Sequence, residues 1–424
     1  MQTPYFLRGT LLYSSSPDTI EVLDDGWLLC RGGRCAGVFR QKPERFRDLE
    51  VLDYSGKLII PGMTDLHIHA PQFSFRGLGM DLELLDWLNT YTFPEESKYE
   101  DLSYAEAAYE SFVSRLKAST TTRACIFATL HLPATLLLMQ KLEDAGLDTY
   151  VGKVNMNRNC PAYLREISTN QAIRDTERWV IEARDRFTRT KPILTPRFIP
   201  SCTDDLMYAL SRLRAKFDLP VQSHLSENFG EIEWVKELCP RSKFYGDAYD
   251  QFGMFGGSYP CIMAHCVHSS EAEQELMLKN GVYIAHSPES NMNLASGVAP
   301  VNQFIDRGLH VGLATDIAGG SHESMLRAMM HAIQASKLRW RLLDQSVKPL
   351  SFERAFYLAT MGGGQFFGKV GSFLDGYALD AVVLDDDNLP HPQPLSARDR
   401  LERMVYLADE RNVAAKFVAG RKIL

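Results

Sequence analysis

The sequence predicts an α/β protein, a (β/α)8 barrel carrying a small β-sandwich made from both chain ends. Three observations support this. Between residues 58 and 360, eight apolar runs alternate with helix-like segments, the pattern of β-then-α units that builds a parallel sheet. Before 57 and after 367, short β-prone runs are separated by turns. Histidines and an aspartate end four of the eight runs, and barrel enzymes carry their chemistry at the C-terminal ends of strands. The resulting division is a composite β domain of 1–57 with 368–424, and a barrel over 58–367.

In the first segment, 27–30 and 35–39 flank Arg31-Gly32-Gly33-Arg34, a hairpin signal because paired glycines accept the positive φ of a tight turn. The first barrel strand is expected over 58–67. Ser103-Tyr104-Ala105-Glu106 has the spacing of a capping box and opens a helix to about 117. A strand at 121–127 follows, then a helix over 134–145 stopped by Gly146. Further strands are expected at 149–156, 192–198, 220–225, 261–266, 281–286 and 310–315. Helices are expected at 172–188, 204–217, 229–238, 270–280, 301–307, 323–338 and 351–360. After 367, a strand at 379–384 and a hairpin over 413–424, turning at Ala419-Gly420, return to the terminal domain. No internal repeat or low-complexity tract interrupts this pattern.

Composition narrows the function. The net charge of -7, from 46 Lys and Arg against 53 Asp and Glu, comes without a long basic run, so neither nucleic acid nor an anionic membrane is an expected partner. Eight scattered cysteines without a C-x-x-C pair read as free thiols of a reducing compartment. Met1-Gln2-Thr3-Pro4-Tyr5 lacks the basic and apolar regions of a leader, and no run of eighteen apolar residues occurs, which predicts an unanchored cytoplasmic protein. No Walker loop or strand-linked G-x-G-x-x-G is present, which argues against nucleotide-cofactor chemistry. Pro260-Cys261 is followed by Cys266, the wrong spacing for deaminases of the P-C-x-x-C type.

The chemistry is concentrated at the run ends. His67 and His69 are spaced i, i+2, which puts both rings on one face of a strand. Such a pair is half of a divalent-metal site. His224 ends the fifth run, His265 the sixth and Asp316 the eighth. Neutral nitrogens with a carboxylate suit zinc or iron, with a position left for a water whose pKa the metal lowers. Glu227 lies three residues after His224, where it could shuttle a proton between that water and a substrate nitrogen. Taken singly, Asp316 reads as a cap, Glu227 as a first-turn glutamate and His265 as a core histidine; their coincidence at four strand ends favours a site. His131, His268, His286, His310, His322, His331 and His391 are assigned structural or surface roles, with His268, His286 and His322 near the rim.

The run Pro61-Gly62-Met63-Thr64-Asp65-Leu66-His67-Ile68-His69, with Ser223-His224, His265 and Thr315-Asp316, resembles the amidohydrolase superfamily, whose fold is a metal-bearing (β/α)8 barrel with a split β domain. Further stretches narrow the likeness to its guanine-deaminating members: His69-Ala70-Pro71-Gln72-Phe73, 87–95, Thr195-Pro196-Arg197-Phe198, Ser223-His224-Leu225-Ser226-Glu227 and 315–320. The resemblance implies hydrolysis of guanine to xanthine and ammonia. It implies one zinc, with iron as the alternative, held by His67, His69, His224 and Asp316, and Glu227 as the proton shuttle. His265 and Asp316 would stabilise the tetrahedral species, Gln72 and Arg197 would read the purine edge, and Phe198 would wall the ring. A cationic fork, an amide and an aromatic wall suit a planar lactam. A homodimer is also implied. Related substrates remain open alternatives: 8-oxoguanine, a pterin, an aminotriazine or cytosine. A non-catalytic scaffold is a third reading, and it has no need of five convergent metal-site residues. Ser287 stands where relatives commonly carry Cys, at a position that is not a ligand. Lys153 ends the third run and raises the question of a carbamylated lysine bridging two metals, but the fourth run, the usual home of that lysine, ends in Thr-Pro-Arg, which favours a mononuclear site.

Overall fold

A computed structural model describes residues 3–424; Met1 and Gln2, part of the N-terminal stretch read as leaderless, lie outside the described residues. The chain opens with β1 (Tyr5–Ser16), β2 (Thr19–Arg31), β3 (Arg34–Phe39) and β4 (Glu50–Pro61). The β2–β3 hairpin turns on Gly32 and Gly33 at φ 58° and 75°, as the glycine pair predicts. β5 (Met63–His69) then begins a parallel series. The expected strand over 58–67 is therefore two strands. Pro61 lacks the N–H to continue a ladder, and a Cβ on Gly62 would stand 2.2 Å from Thr122 Oγ1, so the chain swings there from one sheet into the other.

The series continues with β6 (Thr121–Phe127), β7 (Asp148–Gly152), β8 (Val154–Asn155), β9 (Thr190–Pro192), β10 (Thr195–Pro196), β11 (Val221–Leu225), β12 (Cys261–His265), β13 (Tyr283–His286) and β14 (His310–Leu313). Hydrogen bonding gives parallel sheets ordered β5-β6-β7-β9 and β11-β12-β13-β14, with β8 paired to β10. A bridge between Leu194 and Val221 links the two larger sheets. At their other edges, Asp316 N donates to His67 O at 2.9 Å. The expected strands at 149–156 and 192–198 are each broken into two short pieces.

Three late strands, β15 (Ala381–Leu384), β16 (Val413–Val418) and β17 (Arg421–Lys422), complete the terminal sheet in the order β17-β16-β15-β4-β1-β2-β3. Where two stacked sheets were expected, the hydrogen bonding forms one continuous sheet, curled until its end hairpins meet. A Cβ on Gly33 in the β2–β3 turn would stand 2.6 Å from Ala419 O in the β16–β17 turn, and Leu379 N donates to Gly33 O at 2.8 Å and Tyr5 OH to Gly420 O at 2.5 Å nearby. Register shifts in β1 supply local bending. Alternation sorts the side chains: Ile59, Ala381 and Val383 join a core with Leu7, Leu11, Leu28 and Phe417, while Leu58, Ile60, Val382 and Leu384 face the main core.

Helices over Asp204–Phe217 and Phe229–Leu238 lie where the sequence places them, and Leu132–Ala145 ends at Gly146 with φ 80°. The helix Leu102–Ala118 starts at Asp101, whose carboxylate accepts from Ser103 N at 2.8 Å, so Ser103 is not the cap; Asp serves as well as Ser there. Sequence reading passed over Leu84–Trp87, Phe93–Ser97, Tyr245–Gln251 and Ala397–Leu407, of which only the last exceeds seven residues and could show a helical period. No helix among the described residues is long and apolar enough to cross a membrane.

Candidate active site

The parallel strands deliver their terminal residues to one place. β5 carries His67 and His69, β11 His224, β12 His265, and Asp316 follows β14. Ser226, His265 and Asp316 have φ of 47°, 72° and 49°, a region that residues with a Cβ adopt at a cost and that clusters at functional sites. Asp65 braces the turn before Asp316: its carboxylate accepts from His67 N at 3.2 Å, from Thr315 N at 3.1 Å and from the Thr315 hydroxyl. Burial pushes the Asp65 carboxyl up to about 7, against the pull of those hydrogen bonds. A Cβ on Gly320 would lie 1.9 Å from Thr315 O, so only glycine fits beyond the turn.

The donor atoms have the spacing of a metal cage. His69 Nε2 and His224 Nε2 are 3.2 Å apart; Asp316 Oδ1 is 3.1 Å from His67 Nε2 and 3.6 Å from His69 Nε2. Ligands about 2.1 Å from a tetrahedral ion stand about 3.4 Å from each other. His224 Nδ1 donates to Arg197 O at 2.7 Å, which leaves the Nε2 lone pair turned inward, as in ligating histidines held from behind. Burial pushes His67, His69 and His224 below the usual histidine range, which favours the neutral, ligating form. Burial also disfavours charge on Asp316, but His67 and His265 outweigh it and hold the carboxyl at about 2. The residues therefore fit a divalent ion in geometry and in protonation state.

Beside the cage, His265 Nε2 lies 3.4 Å from Glu227 Oε2 and 3.6 Å from Asp316 Oδ2, while its Nδ1 donates to Asn291 Oδ1 at 2.9 Å. Burial lowers His265, yet the two carboxylates prevail and raise it. Glu227 is pushed up to about 7 by burial, opposed by His265 and assisted by Glu231 and Asp316. Its position is set by neighbours absent from the sequence reading. Glu227 N donates to Glu231 Oε2 at 3.2 Å, Tyr245 OH to Glu231 Oε1 at 2.6 Å, and Ser226 Oγ to Glu273 Oε2 at 2.8 Å. Gly246 N donates to Glu273 at 2.6 Å, and Tyr249 OH to His224 O at 3.0 Å. The one sequence signal for Glu231 was its i+4 spacing from Glu227 at the start of a helix.

A pocket opens onto these groups. Leu84, Trp87, Leu88, Phe198 and Leu294 give it an apolar wall, and Gln72 and Arg197 a polar end. Gln72 Nε2 donates to Glu96 Oε1 at 2.9 Å, Arg197 Nη1 to Glu96 Oε2 at 2.7 Å, and Ala318 N to Gln72 Oε1 at 3.0 Å. Every residue proposed from the sequence is thus in the cage or on the cavity. Lys153 is not: it donates to Glu166 at 2.6 Å in a separate buried pair. Of the rim histidines, His268 Nε2 meets Ser296 O at 2.7 Å, and His286 is buried with no hydrogen-bond partner for either ring nitrogen among the described residues.

Known proteins share this arrangement of chain and fold. The model of the amidohydrolase family matches residues 58–423. The guanine deaminase of Dictyostelium discoideum is 36% identical, over 98% of this chain and 97% of its own. That of Escherichia coli is 35% identical, over 95% and 92%. The crystal structure of guanine deaminase from C. acetobutylicum, with guanine bound in its active site, superposes with a TM-score of 0.97 at 44% identity and covers all of both chains. With the family model spanning all but the first strands, the chain belongs to the amidohydrolase family.

Proposed function

We propose that this chain hydrolyses guanine to xanthine and ammonia. The observation that carries the reading is the cavity itself: a polar end of Gln72 and Arg197 facing a three-histidine, one-carboxylate cage, in a chain 44% identical to a guanine deaminase with guanine bound. Arg197 and Gln72 present donors to the lactam edge, and Phe198 covers the ring. His67, His69, His224 and Asp316 would hold a divalent ion, which when bound brings the pKa of water toward neutrality. Glu227 takes a proton from the attacking water and places it on the ring nitrogen beside C2 as the C–O bond forms. It then moves a second proton from the new hydroxyl to the amine, which leaves as ammonia as the C–N bond breaks. His265, held between Glu227 and Asp316, donates to the oxygen developing on C2.

Zinc as the ion and a homodimeric assembly belong to the same proposal and rest on the resemblance drawn from the sequence, while a cytoplasmic location rests on the scattered free cysteines and the apolar pattern of the chain. The division into a closed (β/α)8 barrel over 58–367 and a composite domain of 1–57 with 368–424 is proposed from the alternation of strand and helix segments, with support from the Leu194–Val221 bridge and the pairing of β4 with β15. The test is ultraviolet monitoring of guanine conversion by the zinc-loaded protein, with ammonia quantified in parallel. Turnover with kcat/KM of about 10⁴ M⁻¹s⁻¹ or more is expected. A protein holding stoichiometric metal that leaves guanine intact would eliminate guanine as substrate and direct the search to other amino-substituted heterocycles.

A further inference from the structure

Neither of the two groups at the polar end of the cavity stands free. Gln72 and Arg197 both donate to one carboxylate behind them, Glu96, at 2.9 and 2.7 Å. The other end of the Gln72 amide accepts from Ala318 N, so the amide is held at both ends and cannot turn over without losing both bonds. The Arg197 and Glu96 side chains are 3% and 2% exposed, and Phe93 lies under the guanidinium at 5.2 Å. In such a place an isolated charge is poorly tolerated and an opposite charge is strongly favoured. Glu96 does not line the cavity itself; it acts on a ligand only through the two residues in front of it.

A buried guanidinium with no counter-charge selects anions, and the same group backed by a carboxylate is a neutral donor fork. Guanine brings a neutral lactam to that fork. An oxopurine that has lost a ring proton brings a net negative charge into the same cavity, with the Glu96 carboxylate directly behind the donors. We propose that Glu96 is a specificity-determining positioning residue, which fixes Arg197 and Gln72 in one frame and cancels the guanidinium charge, so that the cavity accepts neutral purine lactams and rejects purine anions. This rests on the guanine-deaminating reading of the cavity and deepens it by specifying the charge of the ligand.

Glu96→Gln keeps the shape and an acceptor oxygen and removes the charge. The readout is inhibition of guanine turnover, near neutral pH and in metal-loaded enzyme, by urate, a monoanion there, and by hypoxanthine, which is neutral. In Glu96→Gln the guanine KM should rise about tenfold with kcat changed less than about threefold, and the urate-to-hypoxanthine ratio of inhibition constants should fall about tenfold or more. Glu96→Asp, which keeps the charge on a shorter arm, should raise KM but preserve the wild-type ratio. A ratio in Glu96→Gln within about twofold of wild type, or the same fall in Glu96→Asp, overturns the proposal. If wild-type enzyme turns over no guanine, the functional reading fails by itself. The Glu96 assignment is then judged on the same ratio, from calorimetric titration of urate and hypoxanthine into wild type and variants. Should Glu96→Gln not fold, Glu96→Asp decides: its ratio must match wild type while its KM rises.

Discussion

In the proposed reaction Glu227 must hold a proton and give it up within one turnover, and its surroundings suit both. Burial, Glu231 and Asp316 favour the protonated form, His265 favours the ionised one, and the carboxyl settles at about 7. Glu227→Gln keeps the size and loses the exchangeable proton. It is expected to reduce kcat about 10²- to 10⁴-fold with bound metal unchanged, checked by steady-state rates beside metal analysis; near-normal turnover would remove Glu227 from the role. At this scale the proposed metal donors were legible because each is an unusual residue at a strand end. Glu96 was not, because its proposed role comes from Arg197, 101 residues away, and a lone buried glutamate has no sequence signature. Glu231 and Asp65 were missed for the same reason.

The helix Tyr245–Gln251 shows how a short element can govern a site it does not line. Its Tyr245 and Gly246 hold Glu231 and Glu273, which grip the backbone of Glu227 and the Ser226 hydroxyl; Tyr249 holds the carbonyl of His224. Tyr245→Phe should therefore lower kcat by about tenfold while KM and metal content stay near wild type; a change confined to KM would show that the helix shapes the cavity instead of the proton path. Seven residues give too little periodicity to read, so this helix was invisible in the sequence, as were the Leu84–Trp87 wall and the strand break at Gly62, which depends on Thr122 coming within contact. Long amphipathic helices such as Asp204–Phe217 and strands that end in an apolar run, such as β6 with Ala124 to Phe127, were legible because their own residues determine them.

The whole molecule carries a cluster of histidines held neutral by burial. His286 is the clearest: folded, it resists protonation down to about 3, against 6.5 for the free side chain. Between those values the unfolded chain binds more protons, so stability is full above about 6.5 and falls as pH drops through the interval. From pH 6.5 to about 5 the loss from this residue is about 1.6 kcal/mol. Urea unfolding at those two pH values should show a dependence smaller by that amount in His286→Leu, and equal dependences would refute it. The terminal sheet has a different kind of consequence. β4 is flanked by β1, made early, and by β15, made 320 residues later. At about 5–20 residues per second of synthesis, the Leu58–Pro61 edge waits roughly 20 to 60 s on the ribosome without its neighbour. During that interval it is an open strand edge that any passing β-segment could pair with.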